Sequence, residues 1–134
     1  SGNDAWDGTG TDTVAGFGQA GDVPVPKDWN GDGISEIAVF RPSTGQWIID
    51  YNGNFQWDGT GGGQDVTVLL GQYGDVAVAG DWDSSGTGKL GLFRDGFWIL
   101  DGNGNFVWDG TGAGNDIVTG FGTAGDIPVT GKWS

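Results

Sequence analysis

The sequence Trp-Asp-Gly-Thr-Gly occurs three times, and its regular spacing constrains the fold more than any other feature of the chain. The copies begin at Trp6, Trp57 and Trp108, with 51 residues from each copy to the next. All eight tryptophans occupy positions that are equivalent between repeats, so we assign them to the architecture before considering any site. A self-similar unit of this length predicts a repeat protein in which each unit is one supersecondary motif.

Each full repeat contains four short apolar runs bounded by turn residues, which is the pattern of β-strands. No stretch has the periodicity of a helix. Two further runs, at 11–17 and 127–130, lie outside the full repeats and bring the predicted strands to ten. The predicted strands are 23–27, 36–40, 46–50 and 65–70 in the first full repeat and 76–79, 89–93, 97–100 and 116–121 in the second.

Four antiparallel strands in about 50 residues match one blade of a β-propeller. The predicted fold is therefore all-β, with tandem four-stranded antiparallel blades of the propeller type. The 30 glycines and the 13% aromatic content agree with a chain that has many tight turns and a packed core. We predict a single repeat domain over 1–134, made of an outer-strand half repeat (1–22), two full blade repeats (23–75 and 76–126) and the inner strand of a next blade (127–134).

These units amount to about two and a half blades, whereas propellers close with about four to eight. One chain cannot close such a ring, and its first and last strands would be unpaired edges, which proteins normally protect. Three interpretations remain open at this point. The chain is an excerpt of a longer propeller, or it assembles with copies of itself, or its repeats stack openly as in a solenoid or fibre.

The sharpest chemical motif is a nine-residue acidic loop between the first two strands of the first full repeat. Asp28, Asn30, Asp32 and Glu36 place side-chain oxygens at positions 1, 3, 5 and 9, and the carbonyl of Ile34 would add a backbone oxygen. Oxygen donors at alternate positions, with glycine at position 6, suit Ca²⁺. The flanking strands and the valine at position 12 distinguish this loop from an EF-hand. The alternative is an Asx-rich turn without metal.

The equivalent loop of the second repeat predicts a weak or degenerate metal site. It keeps Asp81 and Asp83, but Ser85 and Lys89 replace the acidic residues found at positions 5 and 9 of the first loop. Losing two carboxylates and gaining an ammonium group weakens cation binding. Lys89 is expected to place its own charge where the ion would lie.

The net charge of −13, from 18 acidic and 5 basic residues, limits the partners of the chain. Such a field repels nucleic acid and anionic lipid and attracts cations. No apolar run approaches the roughly 20 residues that are needed for insertion into a membrane. The chain also contains neither histidine nor cysteine, so a triad based on either residue is impossible. We predict that the protein is not an enzyme.

A set of short motifs recurs through the chain and is most complete in the first copy. Its segments there are Phe17-Gly18, Gly21-Asp22-Val23-Pro24-Val25, Asp28-Trp29-Asn30-Gly31-Asp32-Gly33 and Ile37-Ala38-Val39-Phe40-Arg41-Pro42. Together these segments resemble the FG-GAP/VCBS-type repeats of integrin-like β-propellers; the second copy, 71–94, matches more loosely, and 121–133 matches the opening of a third. The resemblance implies a four-stranded blade, calcium in the loop between its first two strands, and an extracellular, secreted or cell-surface location. It also implies roles in adhesion, in carbohydrate binding or in accessory domains of secreted enzymes.

The favoured functional hypothesis is a calcium-stabilised extracellular module that self-assembles through its unpaired terminal strands into an oligomer or filament. The alternative is a carbohydrate-binding lectin or an accessory propeller module of a larger secreted protein. As a lectin, the chain would offer an aromatic face and a carboxylate to a glycan at each Trp-Asp pair, although the same tryptophans could instead pack between blades. These pairs are Trp6 with Asp7, Trp57 with Asp58, and Trp108 with Asp109.

Overall fold

The computed structural model describes residues 2, 4–10 and 12–132 and shows an all-β protein. It contains two four-stranded antiparallel sheets, each with its strands in chain order, and these sheets do not close into a ring. Among the described residues, no helix has the length and hydrophobicity required to cross a membrane. The first sheet contains β1 (Val23–Pro24), β2 (Ala38–Arg41), β3 (Gln46–Ile49) and β4 (Val66–Leu69), and the second contains β5 (Val76–Gly80), β6 (Lys89–Arg94), β7 (Phe97–Leu100) and β8 (Ile117–Gly120).

The eight strands predicted within the two full repeats are confirmed, and the two sheets have equivalent registers. Phe40 pairs with Trp47 in the first sheet, and Phe93 pairs with Trp98 in the second. A register slip of one residue would move every apolar side chain to the opposite face, so the alternating pattern fixes the pairing. Short 3₁₀ turns, Gly61–Gly63 and Gly112–Gly114, lie in the equivalent β3–β4 and β7–β8 connections.

The first strand of the first sheet is shorter than its counterpart. It covers only Val23–Pro24, whereas β5 covers the five residues Val76–Gly80. The backbone N–H groups of Val25 and Lys27 still donate to the carbonyls of Ala38 and Glu36, at 2.8 and 3.2 Å. Pro24 and Pro26 alternate with these two N–H donors along the strand. Their missing N–H groups therefore fall on the free side of an edge strand, where a ladder bond is not needed.

The strands predicted at 11–17 and 127–130 are wrong for the residues that the structure describes. Neither 12–17 nor 127–130 forms a strand. A strand requires a partner for its backbone hydrogen bonds, and the repeat would supply these partners from neighbouring units. The segment 127–130 nevertheless lies against the second sheet, because the Thr130 hydroxyl donates to the carbonyl of Ala79 at 2.8 Å. Residues 133 and 134 of the last predicted unit lie outside the described residues.

The core lies between the two sheets, on one face of each. Ile49 and Phe40 of the first sheet are fully buried in the same cluster as Leu90 and Leu92 of the second. The alternation of each strand places these side chains on the facing surfaces and leaves their neighbours on the opposite surfaces. The two repeats therefore bury a common core, as stacked repeats must.

Trp47 is the centre of this core and links it to the acidic loop. Its side chain is completely buried, and its indole N–H donates to the carbonyl of Leu70 at 2.9 Å. The ring centroid of Trp47 lies 5.1 Å from that of Phe40 and 6.2 Å from that of Trp29. Trp29 is position 2 of the acidic loop, so the loop is anchored in the core at its second residue.

Candidate metal centre

The acidic loop, 28–36, is wound into a tight turn by bonds between its own side chains and backbone. The Asp28 carboxylate accepts the N–H groups of Gly31 and Asp32 at one oxygen, at 2.7 and 3.1 Å, and that of Gly33 at the other, at 2.9 Å. Asn30 Oδ1 accepts the Asp32 N–H at 2.9 Å. The side chains at positions 1 and 3 therefore satisfy the backbone of the turn while their oxygens keep further lone pairs.

Three carboxylates of this loop converge. Oxygens of Asp28, Asp32 and Glu36 all lie within 4.8 Å of one another. Glu36 is buried and accepts the backbone N–H groups of Trp29, at 2.7 Å, and Asn30, at 3.4 Å. The structure thus brings together the three predicted carboxylate ligands.

Asn30 and Ile34, which carry the other two predicted ligand oxygens, form hydrogen bonds that hold the loop. Asn30 donates its side-chain amide to the carbonyl of Tyr51 at 3.0 Å, while its oxygen faces Asp32. Ile34 donates its backbone N–H to Asp32 Oδ1 at 2.8 Å. Both residues therefore support the position of Asp32.

Burial raises the pKa of Glu36 above its ordinary value, and the negative charges of Asp32 and Asp28 raise it further. The N–H groups of Trp29 and Asn30 oppose this rise. No Lys or Arg forms an ion pair with these three carboxylates within the described part of the chain. A cation held between them would offset both the burial and the mutual repulsion.

The equivalent loop of the second repeat, 81–89, contains its own cation. Lys89 occupies the position of Glu36 and is almost completely buried. Its ammonium group lies 3.1 Å from Asp81 Oδ1 and 2.6 Å from Asp83 Oδ1. It also donates to Ser85 Oγ at 2.6 Å and to the Thr87 carbonyl at 3.0 Å. Positions 1, 3, 5 and 7 of this loop therefore all contact the lysine.

The charges of this second loop stabilise one another. Burial alone would lower the pKa of Lys89, but hydrogen bonds to Asp83 and Asp81 outweigh it, and the pKa is raised. The same bond from Lys89 is the main cause of the lowered pKa of Asp83. The ammonium group thus remains protonated and the carboxylate ionised at neutral pH.

The two loops lie against each other across the junction of the sheets. The Gly88 N–H donates to the carbonyl of Asp28 at 2.5 Å. Gly31, at a positive φ of 83°, approaches Thr87 so closely that an added Cβ would lie 2.7 Å from its methyl group. A change in either loop is therefore expected to reach the packing between the two repeats.

A second pair of loops, in the β3–β4 and β7–β8 connections, has the same local geometry. In the β3–β4 connection, the Asp50 carboxylate accepts the N–H groups of Gly53, at 3.1 Å, and Phe55, at 2.8 Å. Asp58 accepts the side-chain amides of Asn52, at 3.1 Å, and Asn54. The signal was present in the sequence, because oxygen side chains stand at positions 1, 3, 5 and 9 here too.

The β7–β8 connection repeats this arrangement. Asp101 accepts the N–H groups of Gly104 and Phe106, both at 2.9 Å, and burial is the main cause of its raised pKa. Asp109 accepts the side-chain amides of Asn103 and Asn105. The amide donors therefore engage Asp58 and Asp109, two of the three carboxylates predicted to contact a sugar.

The tryptophans of the three Trp-Asp pairs lie at the surface rather than in the core. Trp6 is 65% exposed, Trp57 50% and Trp108 43%. The indole rings of Trp57 and Trp108 each line a surface cleft. The three tryptophans therefore present accessible aromatic surface. Asp7 donates its own N–H to Asp12 at 2.5 Å.

Comparisons with protein-family models, with curated proteins and with solved structures find no match to this chain. The case for a function therefore rests on the two pairs of loops, the surface clefts and the charge of the chain.

Proposed function

We propose that the chain is a calcium-stabilised extracellular structural module, built from propeller-type blades, that assembles with copies of itself. The observation that supports calcium is the contrast between two equivalent loops. One loop has a lysine at position 9, whose ammonium group contacts the loop oxygens. The other has Glu36 at that position, and three carboxylates lie within 4.8 Å of one another. A cation taken up from solution would offset the repulsion in the second case.

The chemistry of the donors selects the cation. Asp28, Asp32 and Glu36 offer hard carboxylate oxygens, and the chain contains neither the imidazole nor the thiolate that transition metals prefer. Flexible loops of oxygen ligands suit Ca²⁺. Calcium sites of extracellular modules have dissociation constants of about 10⁻⁴ to 10⁻³ M. A loop in which Asp32 remains exposed is expected to bind in this range, and such an affinity would suit an extracellular setting.

The proposal of self-assembly is supported by an apolar residue that is buried in the first repeat while its equivalent in the second repeat is exposed. Leu70 is 7% exposed, whereas its equivalent Phe121 is 79% exposed. Leu70 belongs to the core that the first sheet shares with the second, and in a propeller another blade would cover the equivalent surface on the second sheet. A second copy of the chain is the proposed partner.

Asp32→Ala is expected to lower the melting temperature in calcium and to leave it nearly unchanged in chelator. A ligand that binds only the folded state stabilises it by about 2.7 kcal/mol at a hundredfold excess over Kd, which corresponds to a shift on the order of 5–10 °C. Thermal unfolding followed by circular dichroism, in both conditions, measures the difference. Ser85→Ala, at the equivalent position of the second loop, is the control and should respond equally with and without calcium. An equal loss for Asp32→Ala in both conditions would refute the calcium assignment.

Light scattering of the purified chain is expected to give a mass several times that of one chain in calcium and a smaller mass in chelator. The reason is that the acidic loop lies at the junction of the sheets, so its order affects the surfaces that flank it. Recovery of the larger mass when calcium is restored would distinguish specific assembly from irreversible aggregation. A monomer in both conditions would contradict self-assembly and leave neighbouring blades of a longer chain as the partner.

A further inference from the structure

One cleft of the protein lies where equivalent segments of three successive copies of the repeat meet. It has a volume of about 620 Å³, within the range of about 300–1,000 Å³ that small-molecule sites occupy. The last of these segments is held against the second sheet, because the Thr130 hydroxyl donates to the carbonyl of Ala79. The cleft is lined from the first copy by Lys27, from the second by Gly80, Asp81 and Trp82, and from the third by Thr130 and Lys132.

This cleft contains the two lysines of the chain that lack a partner of opposite charge. The chain has five basic residues, and three of them, Arg41, Arg94 and Lys89, form ion pairs with aspartates. Among the described residues, neither Lys27 nor Lys132 forms an ion pair. In a chain with a net charge of −13, two unpaired ammonium groups in one cleft create a local site for an anion.

The repeat does not require a lysine at either position. Lys27 stands where the other two copies have glycine, and Lys132 stands where the first two copies have the aspartate that begins the loop. The fold of each copy is therefore compatible with a small or an acidic residue at these positions. The stem of Lys27 packs against Gly88, so it covers apolar surface while its charged end stays in solvent. The packing of the repeats accounts for the stem and not for the charge.

The other groups of the cleft suit an anion that has an organic part. The Asp81 carboxylate is bound by the Lys89 ammonium group at 3.1 Å and by the N–H of Gly86 at 2.9 Å, so its charge is already engaged. Trp82 donates its indole N–H to the carbonyl of Leu90 at 3.1 Å, which fixes its ring as an aromatic wall of the cleft. The cleft therefore offers two cations and one apolar surface.

We propose that this cleft binds a small phosphate monoester, with its phosphate group on Lys27 and Lys132 and its organic part on the ring of Trp82. A phosphate monoester carries a charge of about −1.5 to −2 at neutral pH, which two ammonium groups balance. A carboxylate carries a single charge and is matched best by the fork of an arginine, and both arginines are paired elsewhere. The site depends on neither calcium nor assembly.

Titration with phenyl phosphate, followed by NMR on the indole N–H signal of Trp82, tests the proposal. The signal is expected to shift. Inorganic phosphate, which lacks the ring, and benzoate, which has one charge, should both bind more weakly than phenyl phosphate. Lys27→Gln and Lys132→Gln should each weaken the binding of phenyl phosphate by about threefold, the effect of losing one exposed charge pair.

Ser43→Glu is the matched control for the change in net charge. It makes the chain more negative by the same amount as either glutamine variant, but Ser43 is exposed in the β2–β3 turn, at the opposite end of β2 from the acidic loop. Binding should stay nearly unchanged, because salt screens charges at such a distance. Lys27→Gly and Lys132→Asp, which introduce the residue types of the other copies, replace any glutamine variant that does not fold.

Four results would overturn the proposal. The first is that phenyl phosphate does not shift the Trp82 signal at concentrations of tens of millimolar. The second is that the lysine variants weaken binding no more than Ser43→Glu does, which would indicate a general effect of net charge. The third is that inorganic phosphate or benzoate binds as tightly as phenyl phosphate. The fourth is that binding occurs in calcium and is lost in chelator, which would place the phosphate group on a metal ion instead of on the lysines.

Discussion

Trp47→Ala is expected to reduce the free energy of unfolding by about 3–5 kcal/mol, the usual cost of replacing a buried tryptophan or phenylalanine with alanine. The side chain of Trp47 is completely buried between the rings of Phe40 and Trp29. Its removal would leave a cavity. It would also leave the carbonyl of Leu70, which accepts the indole N–H at 2.9 Å, without its hydrogen-bond donor. Domains are stable by only about 5–15 kcal/mol in total, so this single change would remove a large part of that stability.

Denaturant unfolding followed by circular dichroism, at constant calcium, measures the loss. Trp98→Ala is the matched control, because Trp98 makes the equivalent bond to the carbonyl of Phe121 at 2.9 Å but is only partly buried. Trp98→Ala should reduce the free energy of unfolding clearly less than Trp47→Ala does. If Trp47→Ala does not fold, Trp47→Phe gives the same ranking with a smaller cavity. Equal losses at the two positions would mean that the core is not centred between the sheets.

The strands were predictable from the sequence because the information that forms them is repeated and local. Alternating apolar residues and turn signals recur at equivalent positions, and the structure confirms eight strands in two sheets. The same signals occur at 11–17 and 127–130, where strands were predicted and none forms in the described residues. The difference is physical. A strand is defined by its partner, and alternation alone does not supply one.

The β3–β4 and β7–β8 loops show where interpretation of the sequence was incomplete. Asp50 and Asp101 begin loops with the same oxygen spacing as the acidic loop, yet the predicted metal sites did not include them. The structure shows their carboxylates holding backbone N–H groups from buried positions. The hydrogen bond from the Asn52 amide to Asp58 could not be predicted from the sequence, because it depends on how the loop folds back on itself.

The exposure of Trp57 and Trp108 likewise could not be predicted from the sequence. Their repeat-equivalent positions were compatible both with packing between blades and with an open aromatic face. The choice depends on which side of each sheet the neighbouring repeat covers, and that is a property of the assembled pair of sheets. Both rings are about half exposed in the structure.

Lys89→Glu is expected to convert the second loop from a metal-independent loop into a calcium-dependent one. The substitution would remove the ammonium group that contacts Asp81 and Asp83, at 3.1 and 2.6 Å, and would place a third carboxylate in the loop. Breaking a fully buried ion pair costs about 3–5 kcal/mol. The cost here should be smaller, since the Asp83 side chain is 40% exposed. In chelator the melting temperature should fall by an amount on the order of 10 °C.

Calcium should restore much of that loss, because the variant loop would then hold as many carboxylates as the first loop. Calorimetric titration should accordingly give two calcium ions per chain in place of one. Lys89→Met separates this effect from simple loss of the lysine, since it removes the charge without adding a ligand. It should be destabilised in both conditions and still bind one ion. If calcium raised the melting temperature of Lys89→Glu no more than that of Lys89→Met, position 9 would not determine metal binding. The contrast between Glu36 and Lys89 would then no longer support a calcium site in the first loop. If Lys89→Glu bound a second calcium ion, the residue at position 9 would determine whether the loop oxygens contact a lysine ammonium group or a calcium ion from solution.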